Sequence, residues 1–264
     1  MTIGFVGAGK MAEAIMALLL DSEFCDVEHV YVSDISNARL DVLAAQYGVH
    51  ITTQNRVVVD ASDIVILAVK PQNLDVALED LSASSAGKLF VSIAAGKPLV
   101  YFESKLPAAR VIRVMPNLAC QVGEGMSVYC GGSHASEEDL AIVGSIFERT
   151  GRVLRLDESL FDVVTALSGS GPAFFAYVLQ ALVEGAESGG MPRDSALILA
   201  EQTMLGTAKV LLERCVPPDA FISSVASKGG TTAAGLDVLR ASPVANVLQT
   251  TIKAAADRSR ELST

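Results

Sequence analysis

The segment Gly7-Ala8-Gly9-Lys10-Met11-Ala12 constrains this chain more than any other. It follows a short apolar run from Thr2 to Val6, and it opens a stretch to Leu20 whose apolar residues recur on a helical period. A glycine-x-glycine-x-x-alanine pattern between strand and helix meets three physical demands. The first glycine makes a tight turn, the second lets a pyrophosphate approach the backbone, and the small last residue lets the helix lie close on the sheet. The first N–H groups of the helix then lack intrahelical partners, and the positive end of the helix dipole favours a phosphate beside them. Gly7, Ala8, Gly9, Lys10 and Met11 are therefore candidate contacts for a dinucleotide cofactor. A plain turn would use the same glycines, so the surrounding series of elements has to decide.

That series is a β-α-β alternation. Strands are expected at residues 29–34, near 49–51, at 63–69, 88–93 and 110–114, and then at 126–130 and 152–156. Helices are expected at 8–20, from Ser36 to about Tyr47, after Pro71, after Pro98, and from about Ser136 to Arg149. Strands alternating with helices imply right-handed crossovers and a parallel sheet. Such a sheet binds ligands beyond the C-terminal ends of its strands. Four segments fall there: Asn55, Ala68-Val69-Lys70-Pro71, Ser92 to Gly96 with Ala94-Ala95, and Met115-Pro116-Asn117. Each by itself also fits an ordinary strand-to-helix turn.

The end of the second strand distinguishes NAD from NADP. Asp34 lies 22 residues after Ala12, close to the roughly 20-residue spacing of an acid on a ribose 2′-hydroxyl. Ser33, Ser36, Asn37 and Arg39 crowd the same loop and fit a 2′-phosphate instead. Asp34 as a helix N-cap and Arg39 on a solvated face are the plain readings.

Composition narrows the classes. Thirty acidic residues against twenty basic ones leave a net charge of -10, a poor balance for displacing counterions from nucleic acid. Half the residues are hydrophobic, so a sizeable core is expected. No uncharged apolar run of about eighteen residues stands out, so no membrane-spanning helix is expected. The N-terminus lacks a basic region and carries Lys10 and Glu13 within its apolar part, which suits strand, turn and helix better than a secretion signal. Cys25, Cys120, Cys130 and Cys215 are scattered and are expected as free, mostly buried thiols in a reducing cytoplasm. His29, His50 and His134 are isolated, and no His/Cys/carboxylate spacing suggests a metal site.

The character changes near residue 160. Residues 1–160 form the expected Rossmann-like α/β domain; residues 161–264 show helical spacing only, interrupted at Gly169, Gly189-Gly190, Pro217-Pro218 and Gly229-Gly230. From Gly171 to Gly190 only Glu184 and Glu187 are charged. A helix apolar nearly all round must be covered on every side; a second subunit is expected to cover it, with a self-contained helical bundle as the plain alternative. Ser227-Lys228-Gly229-Gly230-Thr231-Thr232 precedes another helix. Two glycines and two hydroxyls at a helix start form an anion cup for a carboxylate, with a turn and a Thr N-cap as the plain alternative.

Together these segments resemble pyrroline-5-carboxylate reductases over essentially the whole chain. The resemblance rests on Gly4 to Met11, Ala68-Val69-Lys70-Pro71, Ser92 to Gly96, Arg113 to Asn117, Leu167-Ser168-Gly169-Ser170-Gly171-Pro172-Ala173, Gly190-Met191-Pro192-Arg193 and Gly229-Gly230-Thr231-Thr232. It implies reduction of the cyclic imine 1-pyrroline-5-carboxylate to L-proline by NADPH, with NADH possible. It also implies a helical substrate and dimerisation domain that interlocks with its twin as a homodimer or higher homo-oligomer. By resemblance, Thr232 sits by the ring nitrogen as the catalytic candidate, and Gly230 and Thr231 line the substrate carboxylate. Asn55, Ala68 to Pro71 and Ala94-Ala95 line the cofactor; Ser33 and Asp34 are candidates from the second-strand loop, and the family's more frequent use of NADPH favours the 2′-phosphate reading of that loop. The chain departs from the family pattern at Lys228, where proline is usual, at Ile222-Ser223 and at Val216-Pro217-Pro218.

Two rival readings remain. A β-hydroxyacid dehydrogenase would need a lysine on a substrate-domain helix, where Lys209 is the sole candidate. A non-catalytic dinucleotide-binding protein would keep Gly7–Ala12 without the Thr231-Thr232 cup. The absence of histidine from every motif suits an imine, which protonates readily, better than a ketone.

Overall fold

A computed structural model describes residues 1–79 and 81–262 of the chain. The first part runs β1 (Ile3–Val6), α1 (Lys10–Asp21), β2 (Val30–Ser33), α2 (Asn37–Tyr47), β3 (His50–Thr52), α3 (Asn55–Ala61), β4 (Ile64–Leu67), α4 (Leu74–Glu79), β5 (Leu89–Ser92), α5 (Leu99–Lys105), β6 (Arg110–Met115), β7 (Gly125–Gly131), α6 (Glu137–Glu148) and β8 (Gly151–Arg155). The strands form one sheet in the order β3-β2-β1-β4-β5-β6-β7-β8.

Pairing is parallel from β3 through to β6, and again between β7 and β8. The pair β6–β7 is antiparallel, with Val114 opposite Tyr129. This corrects the expectation of an all-parallel sheet. Only a short 3-10 turn, Leu118–Val122, joins the two strands, whereas a parallel return needs a crossover of about a dozen residues or more.

Alternate strand residues feed two cores. Ile3, Phe5, Ile64, Ile66 and Val91 pack on one face with Ile15 and Leu19 of α1, Leu40 of α2 and Val143 of α6. Val6, Val65, Leu67 and Phe90 pack on the other with Val58 of α3, Leu74 of α4 and Phe102 of α5. A sheet covered on both faces explains why its central strands are apolar without alternation.

After β8 the described residues are helical: α7 (Phe161–Val164), a π turn at Thr165–Gly169, α8 (Gly171–Ser188), α9 (Arg193–Arg214), α10 (Pro218–Val225), α11 (Thr231–Ala241) and α12 (Val244–Leu262). The chain divides into two compact units, residues 1–170 with 254–264, and residues 171–253. The division falls ten residues beyond the change of character at 160 and returns the end of α12 to the first unit. There Ser259 Oγ donates to Asp162 Oδ1 at 2.7 Å.

In the second unit, Gly171 and Val183 are the buried residues of α8, and Ala196 that of α9. Phe175, Tyr177, Leu182 and Ile198 are exposed. An apolar groove of about 630 Å³ runs between α8 and α9, lined by Phe175, Leu182, Met191, Leu199 and Met204 among others. The continuous helical run Glu158–Ser188 is long and apolar enough, by length and composition only, to cross a membrane, and 17% of its most apolar window is buried. That corrects the expectation of no such run: serine and glycine interrupt the apolar residues without adding charge.

Of the thiols, Cys120 and Cys130 are buried and Cys25 is half-buried. Burial, followed by the Glu158 carboxylate, pushes the Cys130 thiol up to about 12. Cys215 departs from the expected burial. It is exposed at the C-cap of α9 with φ 49°.

Candidate active site

The strand order reverses between β2-β1 and β4-β5, and at such a switch point the loops leaving the strands part to open a crevice. Gly7 follows β1 there, and Ala68 follows β4. Gly7 N–H donates to Ser33 O and Ala68 N–H to Val6 O, both at 2.8 Å. Gly7 has φ +102°, and a Cβ on it would lie 2.8–2.9 Å from the Ala68 carbonyl and Val69 N. Glycine is thus what lets the two loops adjoin. Gly9 is the N-cap of α1 without any side-chain cap, and an added Cβ there would meet nothing within 4 Å. The helix start therefore has open space and uncapped N–H groups, a fit for a dinucleotide's phosphates. Ala8 is buried beneath it, Met11 is half-buried, and Gly9 and Lys10 are exposed.

A network links this loop to the end of β2. Asp34 Oδ2 accepts from Ala8 N–H at 2.8 Å, and Oδ1 accepts from Ser36 N–H at 2.9 Å. Arg39 Nε donates to Ala8 O at 2.7 Å, and a terminal guanidinium nitrogen pairs with Glu13 of α1. Tyr47 also donates to Glu13, at 3.4 Å. Burial and then this carboxylate raise the Tyr47 phenol above its ordinary value. The N-cap of α2 is Ser36, whose side chain accepts from Arg39 N. The plain readings for Asp34 and Arg39 therefore give way to a built network. Glu13 was missed by sequence reasoning, because only the packing of α1 against α2 pairs it with Arg39.

Ser33 is fully buried, and its hydroxyl donates to Asn55 Oδ1 at 2.8 Å. It positions Asn55, at the start of α3, rather than presenting itself at the loop surface. Val69 is half-buried and Lys70 exposed, leading into the 3-10 turn Pro71–Asn73. Ala94 is buried, its N–H bonded to Ser92 Oγ at 3.3 Å, and Ala95 is exposed. Asn117 Oδ1 accepts from Met126 N–H at 3.2 Å, and its amide donates to Ser168 Oγ at 3.4 Å on the π turn. A Cβ on Gly169 would lie 2.5 Å from Met115 Cε, so two of the conspicuous sequence segments pack directly together.

In the helical unit, Gly229 adopts φ +73° and Gly230 N–H bonds back to Ser227 O at 3.0 Å. Gly230 is the N-cap of α11 and has no side-chain cap hydrogen bond. The plain reading of a Thr N-cap therefore does not hold. Thr231 is exposed, Thr232 half-buried, and both follow the cap at the first helical positions. Lys228 and Lys209 are exposed. Among the described residues, no group of three His, Cys, Asp or Glu side chains is placed to hold a metal ion.

Comparison with known proteins accounts for both parts of the chain. A family model described as pyrroline-5-carboxylate reductase dimerisation matches residues 158–262, and one described as NADP oxidoreductase coenzyme F420-dependent matches residues 2–96. A pyrroline-5-carboxylate reductase of Methanosarcina acetivorans is 42% identical, the alignment covering 98% of this chain and 97% of that protein. That of Arabidopsis thaliana is 40% identical, covering 99% and 95%. The structure of a pyrroline-5-carboxylate reductase from Coxiella burnetii superposes with a TM-score of 0.95 at 32% identity, covering 100% of this chain and 98% of that one. The Plasmodium falciparum enzyme, solved with NADP bound, gives a TM-score of 0.89 at 25% identity over 100% and 98%. With likeness of this degree running from end to end, the chain belongs to the pyrroline-5-carboxylate reductase family.

Proposed function

We infer that the chain catalyses NAD(P)H-dependent reduction of 1-pyrroline-5-carboxylate to L-proline. The observation that carries this reading is the pair of helix starts at Gly9 and Gly230, both glycine-capped and both without a side-chain cap. An acidic protein can hold anionic ligands through such local fields without adding basic side chains.

The N–H groups at Gly9 to Met11 receive the cofactor's phosphates, with Gly7 and Ala8 shaping the turn. Ala68 to Pro71, Ala94, Ala95 and Asn55 border the cofactor, and Ser33 acts through Asn55. Bound NAD(P)H supplies the hydride. At α11, Gly230 and Thr231 hold the substrate carboxylate, and Thr232 hydrogen-bonds the ring nitrogen; the uncapped glycine start of that helix supports this reading. The hydride adds to the imine carbon, the C=N π electrons move to nitrogen, and the proton there completes the secondary amine. A protonated cyclic imine is already electrophilic, so Thr232 orients the ring or relays a proton and is not a tuned acid.

The exposed apolar faces of α8 and α9 are covered by a second copy of the chain. The dimerisation match over 158–262 supports that use of the apolar run 158–188 over a place in a membrane. The free thiols suit the cytoplasm.

The test mixes purified protein, NADPH or NADH, and 1-pyrroline-5-carboxylate, and follows cofactor oxidation. Oxidation dependent on the imine is expected, with kcat lowered in Thr232→Ala while cofactor affinity persists. Failure to oxidise either cofactor sinks the reductase reading, and unchanged turnover in the variant removes Thr232 from the mechanism.

A further inference from the structure

We propose that the last turns of α12 position the β5–α5 loop, which carries Ala94 and Ala95, for the nicotinamide half of the cofactor. This rests on the reading above in taking a nicotinamide dinucleotide as the ligand that the loop borders.

The loop leaves β5, in the β4-β5-β6 half of the sheet. In a dinucleotide-binding sheet the two halves each take one mononucleotide. Gly7–Ala12 follows β1 in the other half, so the adenosine end and its phosphates do not depend on β5. The start of the loop is fixed from within, because Ala94 is buried and its N–H bonds to Ser92 Oγ at 3.3 Å. The turn that follows is covered from outside. Ala95 is exposed and Gly96 is buried, and the end of α12 lies on Gly96. A Cβ on Gly96 would come 3.3 Å from Leu262 O and 3.5 Å from Leu262 C. Gly96 has φ +73°, so glycine both adopts the left-handed backbone and admits the helix terminus.

Chain ends fray unless they are tied down, and this one is tied at the place where it meets the loop. Ser259 is buried and its hydroxyl donates to Asp162 Oδ1 at 2.7 Å. Arg260 Nε lies 3.8 Å from the other oxygen of the same carboxylate. Ala256 is buried one turn earlier. Asp162 thus holds the final turn, and the backbone of Leu262 reaches Gly96, one residue from Ala95. Ser259 and Leu262 are positioning residues that act through the loop.

The test compares the full chain with one ended after Asp257. ADP affinity is measured by calorimetry and NAD(P)H affinity by nicotinamide fluorescence, neither of which needs turnover. ADP affinity should be unchanged in the shortened chain, while NAD(P)H binds roughly fivefold more weakly and imine-dependent kcat falls roughly tenfold. Gly96→Asn in the full chain keeps a residue that tolerates the left-handed backbone but sets a Cβ against Leu262. It should reproduce both losses, and it should add little to them in the shortened chain. Ser259→Ala should act in the same direction with a smaller effect. Unchanged NAD(P)H affinity and kcat in a folded shortened chain, or in Gly96→Asn should the shortened chain fail to fold, overturns the proposal. Equal losses of ADP and NAD(P)H affinity also overturn it. A selective loss of NAD(P)H affinity in a protein whose full chain does not reduce the imine would overturn the reductase reading and leave this one standing.

Discussion

Gly7 and Gly9 share a motif but have different tasks, and substitution separates them. At Gly7 a Cβ would meet backbone within 3 Å at a positive φ, so Gly7→Ala should cost about 2 kcal/mol of stability, visible as a lowered urea midpoint. At Gly9 the φ is -69° and the space is open. Gly9→Ala should therefore melt like the unaltered protein yet bind dinucleotide roughly tenfold more weakly. Calorimetry and thermal melts on the two variants check this, and an equal loss of stability in both would contradict the division. Sequence spacing located both glycines and Asp34. It did not reveal that Ser33 faces inward, or that Glu13 ties up Arg39, because these depend on which side of a strand or helix meets its neighbour.

Among elements, the junction of β6 with the start of the helical region has its own fastening. Arg113 on β6 is 5% exposed and pairs with Glu158 at 2.9 Å, while the same carboxylate oxygen accepts from Leu99 N–H at the start of α5 at 2.7 Å. The guanidinium lies over the Phe161 ring, 4.7 Å from its centre. Replacing Arg113 by Met leaves a largely covered carboxylate without its cation and should cost about 3 kcal/mol. Arg155→Ala, which opens the exposed pair with Glu137, should change the urea midpoint little. Similar midpoints for the two variants would remove the fastening role. Strand and helix positions were legible because the apolar runs and the capping residues Ser36 and Ser136 agree with them. The reversal of β7 was not, because it depends on the length of a connection whose own structure carries little periodic signal.

For the whole molecule, the apolar residues left open on α8 and α9 are the clearest sign that one chain is not the working form. Leu182→Glu with Leu199→Glu places two charges on the α8–α9 groove and should convert a dimer or larger assembly to monomer in analytical ultracentrifugation. An unaltered protein that sediments as a monomer would contradict the covering of that face by a second copy. The change of character at residue 160 anticipated a helical second part, yet the compact units divide at 170 and reclaim residues 254–264. Packing of the last turns of α12 on Asp162 depends on contacts nearly a hundred residues apart in the chain, beyond the reach of local pattern. Delivery of a hydride to the carbon of a cyclic imine can be followed by isotope transfer. With NADH or NADPH deuterated at nicotinamide C4 on the transferred face, 1-pyrroline-5-carboxylate should yield L-proline carrying one deuterium at C5. Proline without that deuterium, or no proline at all, would contradict hydride transfer to this imine.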